Sequence, residues 1–129
     1  MSKKQTILHM DDTLDTRALV RQTLEKEDYT VITLPSPQMG IEFLENNDIN
    51  LVICDINMPY ENGFEFLREV RRNPKFNKIP FVFLTNVSSD IAVEQARELG
   101  ADMYLFKYET TPEKLKKSVE QALKIKRKS

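Results

Sequence analysis

Five short apolar runs punctuate the chain: Thr6-Met10, Thr30-Leu34, Leu51-Cys54, Ile79-Leu84 and Met103-Phe106. They are rich in Ile, Val, Leu and Phe and short enough for strands. Leu51-Val52-Ile53-Cys54 shows no polar alternation, as expected of a strand buried on both faces. Between the runs, apolar residues recur at helical spacing. Over residues 12–26, Leu14, Ala18 and Leu24 can share a face. Ser36-Pro37 reads as an N-cap followed by proline at the first helical position, opening a helix to about Glu45. Phe64, Leu67 and Val70 space a third helix, which Asn73-Pro74 should end. Ser88-Ser89-Asp90 can cap a fourth, carrying Ala92, Ala96 and Leu99, with Gly100 as a left-handed terminator. Thr111-Pro112 opens a fifth, with Leu115, Val119 and Leu123 on one face.

Strand followed by helix, five times over, predicts an α/β fold: a parallel sheet with helices on both faces. In open sheets of this kind, functional groups gather at the carboxyl ends of the strands. Those ends are rich in chemistry. Strand one runs into Met10-Asp11-Asp12 and strand three into Asp55. Strand four closes on Leu84-Thr85-Asn86, and strand five runs through Tyr104 to Phe106-Lys107. A single strand-end aspartate is often only a helix cap, so the joint arrangement carries the weight.

Composition narrows the choice. At 129 residues, the length suits a single domain over 1–129. Nineteen basic and 20 acidic residues give a net charge of −1, with no call for a nucleic-acid or membrane-surface partner. Only the end of the chain, "KIKRKS", is locally basic, and residues 125–129 read as a frayed, solvated tail. The lone Cys54 allows no disulfide or thiolate cluster within the chain and fits a reducing, cytoplasmic setting. No stretch approaches a membrane span.

Three clustered carboxylates repel, and each resists ionising unless a cation neutralises them. Mg2+ suits this role: it is bound by one or two carboxylates and keeps waters and a phosphate oxygen. A lysine and a threonine beside it make sense when a phosphoryl group shares the site. Lys107 would neutralise its oxygens and Thr85 would donate a hydrogen bond. Backbone N–H groups after strands three and four, at Asn57 and Asn86, would add donors. The set is suited to phosphoryl transfer. With no histidine at a strand end, a carboxylate can accept the group as an acyl phosphate, and Asp55 is the candidate because it stands centrally. His9, inside strand one, reads as a core residue, Cys54 as a small buried hydrophobe and "RRNPKFNK" as a solvated connection.

The sequence resembles the receiver domain of bacterial two-component response regulators, especially the stand-alone kind. "MDD" after strand one, "DINMP" with Gly63 after strand three, "FLTN" at strand four and "YLFK" at strand five carry the resemblance. It implies a flavodoxin-like doubly wound sheet of strand order 2-1-3-4-5. It also implies that Asp55 takes a phosphoryl group from the phosphohistidine of a sensor kinase or phosphotransfer protein. Asp12 and Asp55 would then hold Mg2+ (or Mn2+) together with the Asn57 carbonyl, and Asp11 would act through water. Thr85 and Tyr104 would form the switch that reshapes helix four, strand five and helix five. That surface would meet a downstream protein or a second copy of the chain. The domain would promote only its own phosphorylation and dephosphorylation.

Two positions depart from the family pattern. Lys107 is followed by Tyr108 where a cis proline is usual. A cis bond before a non-proline residue costs about 3 kcal/mol, which puts the aim of Lys107 in question. Asn86 replaces a small residue and could partly cover the site. Two other functions compete. A phosphorylation-independent interaction module would retain the fold alone. An aspartate-nucleophile phosphatase needs a second aspartate where Asn57 stands. A nucleotide or flavin carrier is weaker still: Gly40, Gly63 and Gly100 form no phosphate loop after strand one.

Overall fold

The computed structural model describes residues 4–58 and 61–125. Five strands alternate with five helices: β1 Thr6–Met10, α1 Leu14–Glu25, β2 Thr30–Leu34, α2 Pro37–Asn46, β3 Leu51–Cys54, α3 Gly63–Arg72, β4 Phe81–Thr85, α4 Asp90–Leu99, β5 Met103–Phe106 and α5 Pro112–Leu123. All strand pairs are parallel, and the order is β2-β1-β3-β4-β5. This is the expected doubly wound sheet. Pro59 of the "DINMP" stretch and residues 126–129 of the basic tail lie outside the described residues. Ile125, the first residue of that tail, packs against the core of the α1 and α5 side.

Each face of the sheet has its own core. Ile7, Ile53, Val82, Leu84 and Leu105 pack with Val20 and Leu24 of α1 and Leu115, Val119 and Ala122 of α5. On the other face, Leu8, Met10, Val52, Cys54, Phe81 and Phe83 pack with Leu44 of α2, Phe66, Leu67 and Val70 of α3 and Ala96 of α4. The period of two along each strand makes this division.

Local chemistry sets the helix limits. Ser36, Asn62, Ser89 and Thr111 each accept a hydrogen bond from the backbone N–H three residues on, satisfying one first-turn donor. Gly100 ends α4 at φ 105°, a left-handed conformation that suits glycine.

Three details differ from the sequence reading. The face of α1 is Thr16, Val20 and Leu24; Leu14 and Ala18 point to solvent. Threonine at an apolar-face position disguised that register. β4 starts at Phe81 rather than Ile79, because Pro80 has no N–H to give the ladder. The segment "RRNPKFNK" is not wholly solvated. Arg71 is 12% exposed at its side chain and donates to the carbonyls of Gly100, Asn77 and Ile79 and to Asp102 Oδ2. Asp102 also accepts the Phe81 N–H at 2.8 Å. One guanidinium thus ties the end of α3 to the start of β4, the end of α4 and the start of β5.

Replacing Arg71 with methionine keeps the stem but strands these acceptors. The variant is expected to lose about 2–4 kcal/mol of stability. A urea midpoint equal to that of the wild type would remove the clamp from this account.

Candidate functional site

The same period of two arranges the site. Ile7, Ile53 and Leu105 face α1 and α5. At the same parity, Asp55 and Lys107 stand two residues past Ile53 and Leu105, and Asp11 stands four past Ile7. They form one row across the C-terminal edge of the sheet. Cys54 and Phe83 belong to the opposite core, with Tyr104 packed against it, so Thr85 continues that other side.

The row is tied by charge. Lys107 Nζ lies 2.9 Å from Asp55 Oδ2 and 3.1 Å from Asp11 Oδ2. Both aspartates are buried, at 0% and 5% exposure, so an ammonium between them is what their charges require. The backbone fixes their position: the Asp11 N–H donates to the Leu34 carbonyl and the Asp55 N–H to the Met10 carbonyl. Asp11 Oδ1 accepts the Thr13 N–H at 2.8 Å, and Asp55 Oδ1 accepts the Asn57 N–H at 3.3 Å. Gly63 closes the loop after β3. Its N–H donates to the Ile56 carbonyl at 2.7 Å, and a side chain there would meet the Asp55 carbonyl oxygen at 2.3 Å.

Burial raises the Asp11 carboxyl above its usual 3.8, against the pull of the Thr13 N–H and Lys107. Burial also works against the charge of Lys107, but Asp55 and Asp11 more than offset it and its pKa rises. His9 is fully buried two residues before Asp11, as a core residue should be. Burial, with Lys107 and Arg17 nearby, lowers its pKa to about 3, so the imidazole is neutral. Cys54 is buried, and burial pushes its thiol up, with Asp55 and Asp11 adding to the effect.

The remaining expected residues divide between core and rim. Asp12, Asn57 and Asn86 are exposed at the strand ends, open to solvent. Thr85 is fully buried, and its Oγ1 accepts the Val87 N–H at 3.3 Å. The Tyr104 hydroxyl donates to the Val87 carbonyl at 2.6 Å. Thr85 and Tyr104 therefore grip one residue from two sides. All peptide bonds described are trans, including Lys107-Tyr108. A 3₁₀ turn over Lys107–Glu109, which the sequence reading did not include, makes this possible. Thr110 Oγ1 donates to the Phe106 carbonyl at 2.7 Å, and the exposed Tyr108 ring stacks on Phe106. Lys107 reaches both carboxylates without the proline.

The donor set suits a hard divalent cation: the carboxylate oxygens of Asp11 and Asp55, with Asp11 Oδ2 buried and met only by its ion pair with Lys107. Among the described residues, no three His, Cys, Asp or Glu side chains converge as a closed cage. An ion such as Mg2+, which keeps several waters and takes only one or two carboxylates, needs none.

A doubly wound sheet with a buried Asp–Asp–Lys row at its switch edge defines a class of signalling domain. The chain belongs to the response regulator receiver domain family, whose pattern matches residues 7–120. It is accordingly a phosphorylation-based signalling module. It is 33% identical over 121 residues to a probable chemotaxis protein CheY of Rhizobium etli, covering 93% of each chain. The chemotaxis response regulator CheY4 of Vibrio cholerae superimposes with a TM-score of 0.85 at 28% identity, covering 93% of this chain and 99% of that one. The Mn2+-bound form of response regulator Rcp1 gives a TM-score of 0.77 at 30% identity, covering 88% of each. In another relative the matched region is only 24% of a longer protein, so the module occurs in more than one setting. Among the described residues, no helix is long and apolar enough to cross a membrane.

The raised pKa of Asp11 has a stability consequence. A carboxyl whose folded value lies above its unfolded value stabilises the fold when protonated, and that contribution fades as pH rises through the folded value. At pH 7, without metal, ionised Asp11 therefore opposes folding. Asp11→Asn, which keeps the acceptor for Thr13, is expected to raise the urea midpoint at pH 7 in EDTA. The gain should shrink as pH falls toward 4. A lower midpoint at pH 7 would contradict the assignment.

Proposed function

We propose that the chain is a phosphorelay switch in which Asp55 accepts a phosphoryl group from the phosphohistidine of a sensor kinase or phosphotransfer protein. The observation that carries the reading is the Lys107 ammonium held between Asp11 and Asp55. It marks a buried place where negative charge converges and a cation belongs. In the transfer, an Asp55 oxygen forms the new bond to phosphorus. The phosphorus–nitrogen bond to histidine breaks, and the imidazole leaves. Asp12, Asp55 and the Asn57 carbonyl would hold Mg2+, or Mn2+ in its place, with Asp11 acting through water. When bound, the metal supplies charge neutralisation for the phosphoryl oxygens. Lys107 then pairs with those oxygens as a point charge, and the N–H groups of Asn57 and Asn86 add hydrogen bonds.

Thr85 carries the signal onward. Its hydroxyl, which accepts from the Val87 N–H, would turn to the acyl phosphate, and Val87 also holds the Tyr104 hydroxyl through its carbonyl. Release at one end loosens the other, so a local charge change biases the α4, β5 and α5 surface. A downstream protein reads that surface, with a homodimer through it as the other output. No catalytic acid stands where a phosphatase would keep one, since Asn57 occupies that position.

Incubation with Mg2+ and acetyl phosphate, followed by intact-mass measurement, checks the reading. One labile phosphoryl group is expected on the wild type, and none with EDTA or in Asp55→Asn. No adduct on the wild type, despite bound Mg2+, would favour a phosphorylation-independent module. Steady turnover of varied phosphate esters would favour an enzyme.

A further inference from the structure

Beneath the acidic row lies a second polar group that the transfer does not use. Among the described residues, the buried side-chain atoms without a hydrogen-bond partner are His9 Nδ1, His9 Nε2, Asp11 Oδ2 and Thr33 Oγ1. They are not scattered. His9 and Thr33 are register partners on adjacent strands, and both lie on the α1 and α5 face. Asp11 follows His9 by two residues on that same face, and His9 Nε2 lies 3.8 Å from Asp11 Oδ2.

An unmet polar atom in a core costs about 1–3 kcal/mol, so the ring of His9 and the hydroxyl of Thr33, beside an Asp11 oxygen held only by its ion pair with Lys107, call for a reason. An apolar residue in place of His9 would fill the same space without that cost. The ring instead offers what Asp11 lacks. One oxygen of Asp11 is already held by the Thr13 N–H from above. The other touches Lys107, whose ammonium must serve phosphoryl oxygens when a phosphoryl group is present. His9 Nε2, 3.8 Å from that oxygen, is a further donor within reach.

We propose that His9 is a positioning residue for the metal pocket: its neutral imidazole donates Nε2–H to Asp11 Oδ2, and its Nδ1 accepts from the Thr33 hydroxyl. The small movement from 3.8 Å to hydrogen-bond length would fix both oxygens of Asp11 by groups that are not metal ligands. The carboxylate would then present its free lone pairs to the ion and its waters at a set angle. Outer-shell partners of this kind typically contribute 10–100-fold in metal affinity or activity. The inference rests on the metal reading given under Proposed function.

Two measurements test it. The chain has one histidine, so its imidazole nitrogen spectrum is unambiguous. Nitrogen-15 NMR of the metal-free wild type should show the proton on Nε2 and a bare Nδ1; a proton on Nδ1 instead overturns the proposal. Calorimetric Mg2+ titration then compares His9→Leu, His9→Gln and His9→Asn. The glutamine amide nitrogen stands where Nε2 does, whereas that of asparagine stands where Nδ1 does. About a tenfold loss of affinity is expected for the leucine and asparagine variants, with the glutamine variant close to wild type. Unchanged affinity in His9→Leu overturns the proposal, as does an equal loss in all three. A wild type that binds no Mg2+ overturns the metal reading itself, and this inference with it.

Discussion

Two buried carboxylates and one ammonium share the C-terminal edge of the sheet, and their mutual need organises the rest of the site. Two carboxylates at such burial call for a cation in reach. Lys107 meets both, at 3.1 and 2.9 Å. The row forms because three strands of one parallel sheet carry the same parity: Asp55 and Lys107 each follow by two an apolar residue that faces α1 and α5, and Asp11 follows His9 by two. The buried sheet thus holds charge where water is scarce and electrostatic interactions are strong.

The side facing α3 and α4 is held differently. There, Thr85 and Tyr104 are joined through Val87, by one hydrogen bond from its N–H to the threonine hydroxyl and one from the tyrosine hydroxyl to its carbonyl. Tyr104 is only partly buried and continues a file of aromatic rings, Phe83 on one side and Phe106 on the other. A buried charge cluster beside an aromatic held through one loop residue is a sound arrangement for a two-state element. The Arg71 clamp lies beyond it, at the starts of β4 and β5, and anchors the strands against which Tyr104 would move.

Much of this was legible in the order of residues. "LVIC" ahead of Asp55 announced a central strand, and Ser36, Ser89 and Thr111 announced helix starts, because each signal acts within a few residues. The convergence of Asp11, Asp55 and Lys107 followed from topology alone. What escaped was non-local. Arg71 looked solvated because its acceptors are mainly backbone carbonyls, including that of Gly100, which sequence patterns do not display. Thr16 concealed the buried face of α1, since a threonine half-turned into a core looks polar on paper. His9 read correctly as buried, yet its nearness to Asp11 Oδ2 depends on the two-residue step along β1 and on ring orientation. Tyr108 raised a doubt that the 3₁₀ turn and the Thr110 hydrogen bond resolve.

The central claim is that Asp55, of the clustered carboxylates, takes the phosphoryl group. Borohydride reduction of the phosphorylated chain, followed by peptide mapping, tests it most directly, since reduction of an acyl phosphate converts its aspartate to homoserine. Conversion is predicted at Asp55 alone. Conversion at Asp11 or Asp12, with Asp55 intact, would contradict the account.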